Sequence, residues 1–118
     1  MESIYVTKKL EDLNYEPLMN GINTIVGVWQ RDIRYGEGFV YYFFEVQTKK
    51  EVSNKKQKEK KGKTTQYSDY NIKLRIFNDG FIQASCNCPD YYFRRKKEKD
   101  FCKHIYAVID DINQKKSG

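Results

Sequence analysis

Every cysteine and the only histidine of the chain lie between positions 86 and 104. They form the pattern Cys86-Asn87-Cys88, thirteen residues, then Cys102-Lys103-His104. Structural zinc sites hold the metal in a tetrahedron of four sulfur and nitrogen ligands, and three cysteines with one histidine are a common set. The sequence therefore predicts one structural zinc ion bound by Cys86, Cys88, Cys102 and His104.

The spacing of these residues suits the secondary structure that must position them. Cys86 and Cys88 stand at i and i+2, so both sulfurs lie on one side of a strand. Within a helix, i and i+2 diverge by about 200°. Cys102 and His104 therefore converge only if Cys102 lies at the start of a helix and His104 in its first turn. Asp100 as the helix N-cap would place them there.

Three other interpretations of the cysteines compete with zinc. A disulfide within Cys-x-Cys is strained and leaves an odd thiol. A catalytic pair of Cys102 and His104 lacks an orienting group and a substrate cleft in the pattern. Buried cysteines without a metal are the third possibility. A catalytic zinc site keeps one coordination position open, whereas four protein ligands close this one. A structural zinc ion is the interpretation that we favour.

An aromatic hairpin is predicted in the N-terminal half of the chain. Residues 22–33 and 39–46 are strand-like, and Gly36-Glu37-Gly38 supplies the turn. The second strand, FVYYFFEV, is apolar on both faces, which is typical of a strand that is covered on both sides. We expect core packing rather than base stacking for its aromatic side chains and the tryptophan opposite: Trp29, Tyr41, Tyr42, Phe43 and Phe44.

A second hairpin and a C-terminal helix frame the cysteines. Residues 70–77 alternate between apolar and polar, Asp79-Gly80 predicts a type I′ turn, and residues 81–86 return. The helix carries apolar residues at i, i+3, i+4 and i+7, which must pack on the hairpin: Ile105, Val108, Ile109 and Ile112. Nearer the N-terminus, residues 3–6 resemble a strand and residues 7–15 a short helix.

These elements predict an α+β fold of antiparallel β-hairpins with a C-terminal helix, in which zinc stabilises a ββα unit. We divide the chain into an N-terminal β-rich segment (residues 1–48), a lysine-rich loop (49–68) and the zinc unit (69–114), within one compact domain. The aromatic content of 15% argues against a disordered chain.

Positive charge is concentrated in one stretch. The chain has 22 basic and 16 acidic residues, and residues 49–63 contain eight lysines against two glutamates. Such a block is either a solvated, flexible excursion or a segment that binds nucleic acid through its phosphates. No array of Arg, Asn or Gln on a rigid element predicts base readout, so we expect little sequence specificity. The expected contact residues are Lys55, Lys56, Lys58, Lys60, Lys61 and Lys63, with a second cluster at Arg94, Arg95, Lys96 and Lys97.

Several functional classes find no support in the sequence. No apolar run is long enough to cross a membrane, and no signal peptide opens the chain, so we expect an intracellular protein without membrane contact. No paired acids, nucleophile motif or phosphate-binding glycine loop is present, so we expect neither an enzyme nor a small-molecule substrate.

The stretch from about residue 70 to residue 112 resembles a SWIM zinc finger, whose pattern is C-x-C-x(n)-C-x-H on a ββα unit. The likeness rests on the hairpin before the first cysteines, the Cys88-Pro89 step and the Cys-Lys-His run that enters an apolar helix. The resemblance implies the same four zinc ligands. It also implies a DNA-binding or protein-interaction module, of the kind found in transposase-related, chromatin-remodelling, ubiquitin-ligase and recombination-accessory proteins.

The resemblance and the charge together favour a nucleic-acid-binding module, with DNA preferred to RNA, in a recombination or chromatin accessory role. The alternative is an adaptor that docks on a recombinase-like or other protein through the aromatic hairpin and the zinc finger.

Overall fold

The structure, a computed structural model, describes residues 5–53 and 63–117. No helix in these two ranges is long and apolar enough to span a membrane. The predicted α+β class is confirmed. The elements, in chain order, are β1 (Val6–Lys9), α1 (Glu16–Gly21), β2 (Ile25–Gly36), β3 (Phe39–Ser53), β4 (Lys63–Phe77), β5 (Phe81–Cys86) and α2 (Lys103–Ser117).

A single antiparallel sheet contains all five described strands, in the order β1-β5-β4-β3-β2. Both predicted hairpins are present, as β2–β3 and β4–β5. Pairing of β3 with β4, from Phe39 opposite Phe77 to Ser53 opposite Lys63, joins them. The aromatic hairpin is therefore continuous with the hairpin that leads to the cysteines.

Helix α2 covers one face of the sheet. Its predicted apolar stripe is buried, with Ile105 and Val108 fully inaccessible. In β3, Tyr42, Phe44 and Val46 point to the same core, while the residues between them are only half-buried. Burial of each such side chain contributes about 1.5–3 kcal/mol. The prediction of core packing thus holds for Tyr42 and Phe44 only, because alternation turns the other three predicted residues to the opposite face: Trp29, Tyr41 and Phe43.

The turn between β4 and β5 differs from the predicted type I′. Such a turn needs positive φ at both central residues, but only Gly80 has it here, at +92°. The Gly80 N–H donates to the Phe77 carbonyl at 3.2 Å. The geometry is that of a type I turn followed by glycine, which lets Asp79 keep an ordinary φ and accept a hydrogen bond from the Phe81 N–H at 3.3 Å.

The predicted loop at residues 49–68 is strand at both of its ends. β3 continues to Ser53 and β4 starts at Lys63, with Lys49 opposite Tyr67. Thr64, Thr65 and Tyr67 favour a strand, and the high lysine content concealed that signal. Residues 54–62, which hold the middle of the predicted loop, lie outside the described residues.

The N-terminal segment also differs from its prediction. Residues 6–9 form β1, which pairs with β5 from Val6 opposite Ala84 to Lys9 opposite Phe81. Residues 10–12 make only a single 3-10 turn, and Leu10 is 44% exposed. The predicted helix over residues 7–15 is wrong, because pairing with the edge of β5 outweighs a weak helical pattern.

Candidate metal centre

The four predicted ligands come together where β5 ends and α2 begins. Cys86 is the last residue of β5, Cys88 follows it, Cys102 directly precedes α2 and His104 is the second residue of α2. All four are buried. Their ligand atoms lie within 4.8 Å of one another. The arrangement links the edge of the sheet to the start of the helix.

Backbone amides hold the first two sulfurs. The Cys88 N–H donates to Cys86 Sγ at 3.4 Å, and the Tyr91 N–H donates to Cys88 Sγ at 3.3 Å. The chain after Cys88 turns through a short π-helical segment, Tyr91–Arg95, and the buried Tyr91 hydroxyl donates to the Ala84 carbonyl at 3.1 Å. The amide hydrogen bond from Tyr91 helps to lower the pKa of Cys88 and so favours its thiolate, the form that binds a metal.

Cys102 is both a candidate ligand and the N-cap of α2. The helix starts at Lys103, and the Tyr106 N–H donates to the Cys102 carbonyl at 3.2 Å. Burial raises the pKa of Cys102, and the backbone N–H of Ile105, the third residue of α2, opposes that shift, as expected for a side chain at the N-cap. His104 consequently lies in the first turn, and this is the geometry that the Cys-x-His spacing requires.

Asp100 does not cap the helix as the sequence predicted. Its carboxylate accepts hydrogen bonds from the Phe101 N–H at 2.8 Å, the Tyr106 hydroxyl at 2.9 Å and Lys8 Nζ at 3.1 Å. Burial alone would raise the pKa of Asp100, but these hydrogen bonds outweigh it and hold the pKa below its usual value. Asp100 instead fastens β1 and α2 to the loop that leads into the metal centre.

The distances around His104 fit a tetrahedral zinc ion. Nδ1 lies 3.6 Å from Cys102 Sγ and 3.9 Å from Cys86 Sγ. Zinc bonds of about 2.3 Å to sulfur and about 2.0 Å to nitrogen, at a tetrahedral angle, separate those atoms by about 3.6 Å. Nε2 is buried, and no described residue hydrogen-bonds to it. Nδ1 is therefore the nitrogen placed to bind the metal.

Without a metal, the three thiols share hydrogen bonds unequally. Hydrogen bonds from Cys102 and Cys86 lower the pKa of Cys88. The hydrogen bond with Cys102 raises the pKa of Cys86, and burial raises the pKa of Cys102. One thiolate stabilised by two thiols is what a metal-free cluster of this kind favours. A bound zinc ion reverses the balance, because its charge deprotonates all the coordinating thiols.

The predicted basic cluster near the metal centre divides into paired and exposed groups. Arg94 pairs with Asp90 at 3.1 Å. Arg95 is 19% exposed and pairs with Asp90 at 3.2 Å and Asp100 at 3.9 Å, which commits its guanidinium to the protein. Lys96 Nζ lies 4.6 Å from the ring centre of the exposed Tyr92, and Lys97 is exposed.

The other predicted nucleic-acid contacts belong to the lysine block. Lys63 begins β4, but its side chain is not described. The remaining lysines lie outside the described residues, so that their role stays a prediction: Lys55, Lys56, Lys58, Lys60 and Lys61.

Sequence reasoning missed Asp90 and Tyr91 as residues that shape the metal centre. Asp90 pairs with Arg94 and Arg95, and Tyr91 links the segment after Cys88 to β5. The available signal was Pro89, because proline is common at the first position of a helical turn and so predicts one immediately after Cys88.

Comparison with known protein families supports the same assignment. The family model of the SWIM zinc finger matches residues 65–113, which include all four candidate ligands, the second hairpin and most of α2. Searches of curated proteins and of solved structures gave no match. Residues 65–113 thus match a SWIM zinc finger, and the buried Cys3His cluster within them fits one structural zinc ion.

Proposed function

We propose that the protein is a non-enzymatic zinc module that binds nucleic acid with little sequence specificity, and DNA in preference to RNA. The observation that carries the proposal is a two-stranded ribbon, formed by residues 49–53 of β3 and 63–67 of β4, that leads directly into the lysine block. A preference for DNA follows from the proteins in which SWIM fingers occur.

The ribbon extends past the neighbouring strands. The pairing of β2 with β3 ends at Ile25 opposite Thr48, and the pairing of β5 with β4 ends at Cys86 opposite Ile72. Among the described strands, residues 49–53 and 63–67 therefore pair only with each other. Exposed Lys49 and Lys50 stand on this ribbon, and residues 49–63 carry a net charge of six positive units.

The ribbon and its charge favour sequence-independent binding. Lysine ammonium groups contact phosphates, which every sequence presents alike, and release counterions as they bind. The zinc centre would contribute to binding only indirectly, because it fixes α2 on the sheet from which the ribbon extends. The metal has a structural part in this proposal and no part in a reaction.

A salt titration with ribbon variants tests the proposal. Fluorescence anisotropy of labelled DNA would give the affinity of wild type and of Lys49→Gln/Lys50→Gln at several salt concentrations. Each lost phosphate contact lowers the slope of log affinity against log salt by about 1. We expect the double variant to bind more weakly and to lose about 2 from the slope if both lysines contact phosphate.

A matched control separates a local contact from a change in net charge. Lys115→Gln removes one positive charge from α2, where that lysine pairs with Asp111 at 3.1 Å, far along the chain from the ribbon. We expect this variant to retain the wild-type slope. Affinity and slope that are the same in the ribbon variant, the control and the wild type would contradict the proposal.

A protein-docking role is the second candidate, and the loop beside the zinc centre favours it. Tyr92 and Phe93 are 53% and 69% exposed, and their rings lie 5.4 Å apart in an edge-to-face arrangement. Exposed aromatic rings are common at protein interfaces. If this loop docks on a protein, Tyr92→Ser/Phe93→Ser would lower binding of an apolar-surface dye without changing DNA affinity. An unchanged dye signal would count against docking.

A further inference from the structure

The sheet has a second face, opposite α2, on which aromatic and arginine side chains alternate. Cross-strand pairing defines this face, because paired residues share a face. Tyr41 lies opposite both Arg34 and Arg75. Trp29 lies opposite Glu45, whose side chain is on the same side of β3 as those of Tyr41 and Phe43. We refer to this surface as the open face, and its central residues are Trp29, Arg34, Phe39, Tyr41, Phe43 and Arg75.

The rings and guanidinium groups of the open face are in contact. The ring centres of Tyr41 and Phe43 are 4.5 Å apart. The guanidinium of Arg34 lies 5.4 Å from the ring centre of Phe43, and that of Arg75 lies 4.7 Å from that of Tyr41. A shallow cavity of about 690 Å³ lies elsewhere, beside the zinc centre, whereas one of about 390 Å³ opens here among the rings and both arginines.

Two glycines allow aromatic rings to lie flat on this face. A Cβ on Gly27 would come within 2.4 Å of the Trp29 ring, and a Cβ on Gly36 within 2.3 Å of the Phe39 ring. Each ring therefore covers a position at which any other residue would place a side chain. Rings that lie along the sheet present their π faces outward, and a flat exposed π face is what a nucleobase stacks on.

Charge on the open face complements a phosphate backbone. Arg34, Lys73 and Arg75 stand among the rings, and the guanidinium of Arg31 lies 5.9 Å from the Trp29 ring centre. Carboxylates on the same face partly offset these four cations: Asp32, 3.1 Å from Arg34, Glu45, 3.2 Å from Arg31, and the exposed Asp69 opposite Gln47. A positive surface that alternates rings with guanidinium groups matches alternating bases and phosphates.

The open face also continues into the ribbon. Alternation along β3 places Lys49 on the same side as Tyr41 and Phe43, and its partner Tyr67 is 60% exposed. A strand of nucleic acid lying along β3 and β4 would therefore pass from the rings to the lysines. A duplex hides its bases from such a surface, whereas a single strand can splay them onto it.

We infer that the open face is a stacking platform for single-stranded nucleic acid. Bases stack on Phe43 and Trp29, and Arg34 contacts phosphates. Arg75, which lies between the rings of Tyr5 and Tyr41, contributes positive charge beside them. The inference rests on the proposed function, because it names the form of nucleic acid and the surface that binds it. An apolar segment of another protein fits this face less well, since it would bury the guanidinium of Arg75, which donates to the neutral Gln83 and has no carboxylate partner among the described residues.

Trp29 is the only tryptophan, so its emission reports on the platform directly. Unlabelled deoxythymidine oligomer would be added to the wild-type protein while Trp29 fluorescence is followed, with a duplex in a parallel titration. We expect the single strand to quench Trp29 and the duplex to leave it unchanged. Anisotropy of a labelled oligomer would measure binding in the same samples, whether or not the rings take part.

A pair of variants makes the test specific. Phe43→Leu keeps an apolar side chain but removes the π face, and we expect it to weaken single-strand binding about tenfold while duplex binding stays the same. Tyr92→Leu removes an exposed ring beside the zinc centre and should bind like wild type. Zinc content and thermal melting would show that both variants are folded.

The outcomes separate the platform from the proposed function. Binding seen by anisotropy, without quenching of Trp29 and with Phe43→Leu equal to wild type, would overturn the platform and leave nucleic-acid binding through the lysines intact. No binding of either single strand or duplex would overturn both. If a nucleic-acid-free sample of another protein quenches Trp29 and the oligomer does not, that result would overturn the platform in favour of protein docking.

Discussion

At the residue scale, Cys102 combines two tasks that the sequence alone did not connect. Its sulfur lies in the ligand cluster, and its backbone carbonyl accepts the Tyr106 N–H at the start of α2. Spacing predicted that Cys102 must lie at the helix entrance, but the cap was assigned to Asp100. Asp100 has the stronger acceptor of the two, but a sequence does not show which residue the chain path brings to the first turn.

The double task gives a selective variant. Cys102→Ser retains an oxygen that can cap the helix but removes a thiolate ligand. We expect it to lose zinc and to melt at a lower temperature than wild type, because ligation in such units contributes directly to folding. Elemental analysis and a thermal melt would measure both effects. Lys97→Ser, an exposed position in the preceding loop, is the control and should retain its zinc; zinc retained by Cys102→Ser would contradict the ligand assignment.

The position of His104 predicts which ring nitrogen binds the metal. Nδ1 faces the sulfurs of Cys86 and Cys102, and Nε2 faces away from them. Two-bond nitrogen–proton correlation spectra of the labelled, zinc-loaded protein distinguish the two tautomers. We expect metal on Nδ1 and a proton on Nε2. A spectrum with metal on Nε2 would show that the ring is turned over.

Asp100 predicts a stability effect separate from the metal. Its carboxylate joins Lys8 of β1 to Tyr106 of α2 and is 25% exposed. Replacement by asparagine removes the charge from these hydrogen bonds, so we expect Asp100→Asn to lower the free energy of unfolding by about 1–3 kcal/mol in chemical denaturation. Asp69→Asn, at an exposed strand position, should change it little. Equal stability of the two variants would mean that the hydrogen bonds of Asp100 to Lys8 and Tyr106 do not contribute to the free energy of unfolding.

At the element scale, the sequence predicted the strands and the helix that have a periodic apolar pattern, but not which elements pack beside them. The alternation at residues 70–77 and the stripe from Ile105 to Ile112 led directly to β4 and α2. Pairing between distant strands determined the order of the sheet and the residues that each strand face contacts. The apolar run of β3 reads as covered on both faces, yet α2 covers only one, and aromatic rings that pack on one another and on arginines occupy the other. A single sequence does not reveal which partner covers an aromatic strand.

The flat rings of the open face predict the effect of one added methyl group. Gly36→Ala places a Cβ where the Phe39 ring now lies, so the ring must swing away. We expect weaker quenching of Trp29 and weaker binding of a deoxythymidine oligomer, with little loss of thermal stability because Phe39 is at the end of its strand. Glu37→Ala, in the adjacent turn, should behave like wild type. Unaltered binding by Gly36→Ala would show that Phe39 takes no part.

At the scale of the whole molecule, the zinc centre and the sheet have different roles. The cluster joins the end of β5 to the start of α2, and α2 then closes the core on one face. Within residues 5–53 and 63–117, no helix covers the other face of the sheet. The ligand set was predictable because it uses every cysteine and histidine in the chain. The open face was not, because it depends on β2, β3 and β4 lying side by side, and pairing of β3 with β4 bridges two separate hairpins.

The measurement that tests this account most directly is native mass spectrometry of the purified chain. A structural zinc ion held by three thiolates and His104 predicts a folded species with one zinc per chain, whose bound metal disappears, together with the compact charge distribution, on treatment with a zinc chelator. A compact chain without metal, or one that stays compact when its zinc is removed, would contradict the claim that zinc holds this fold together.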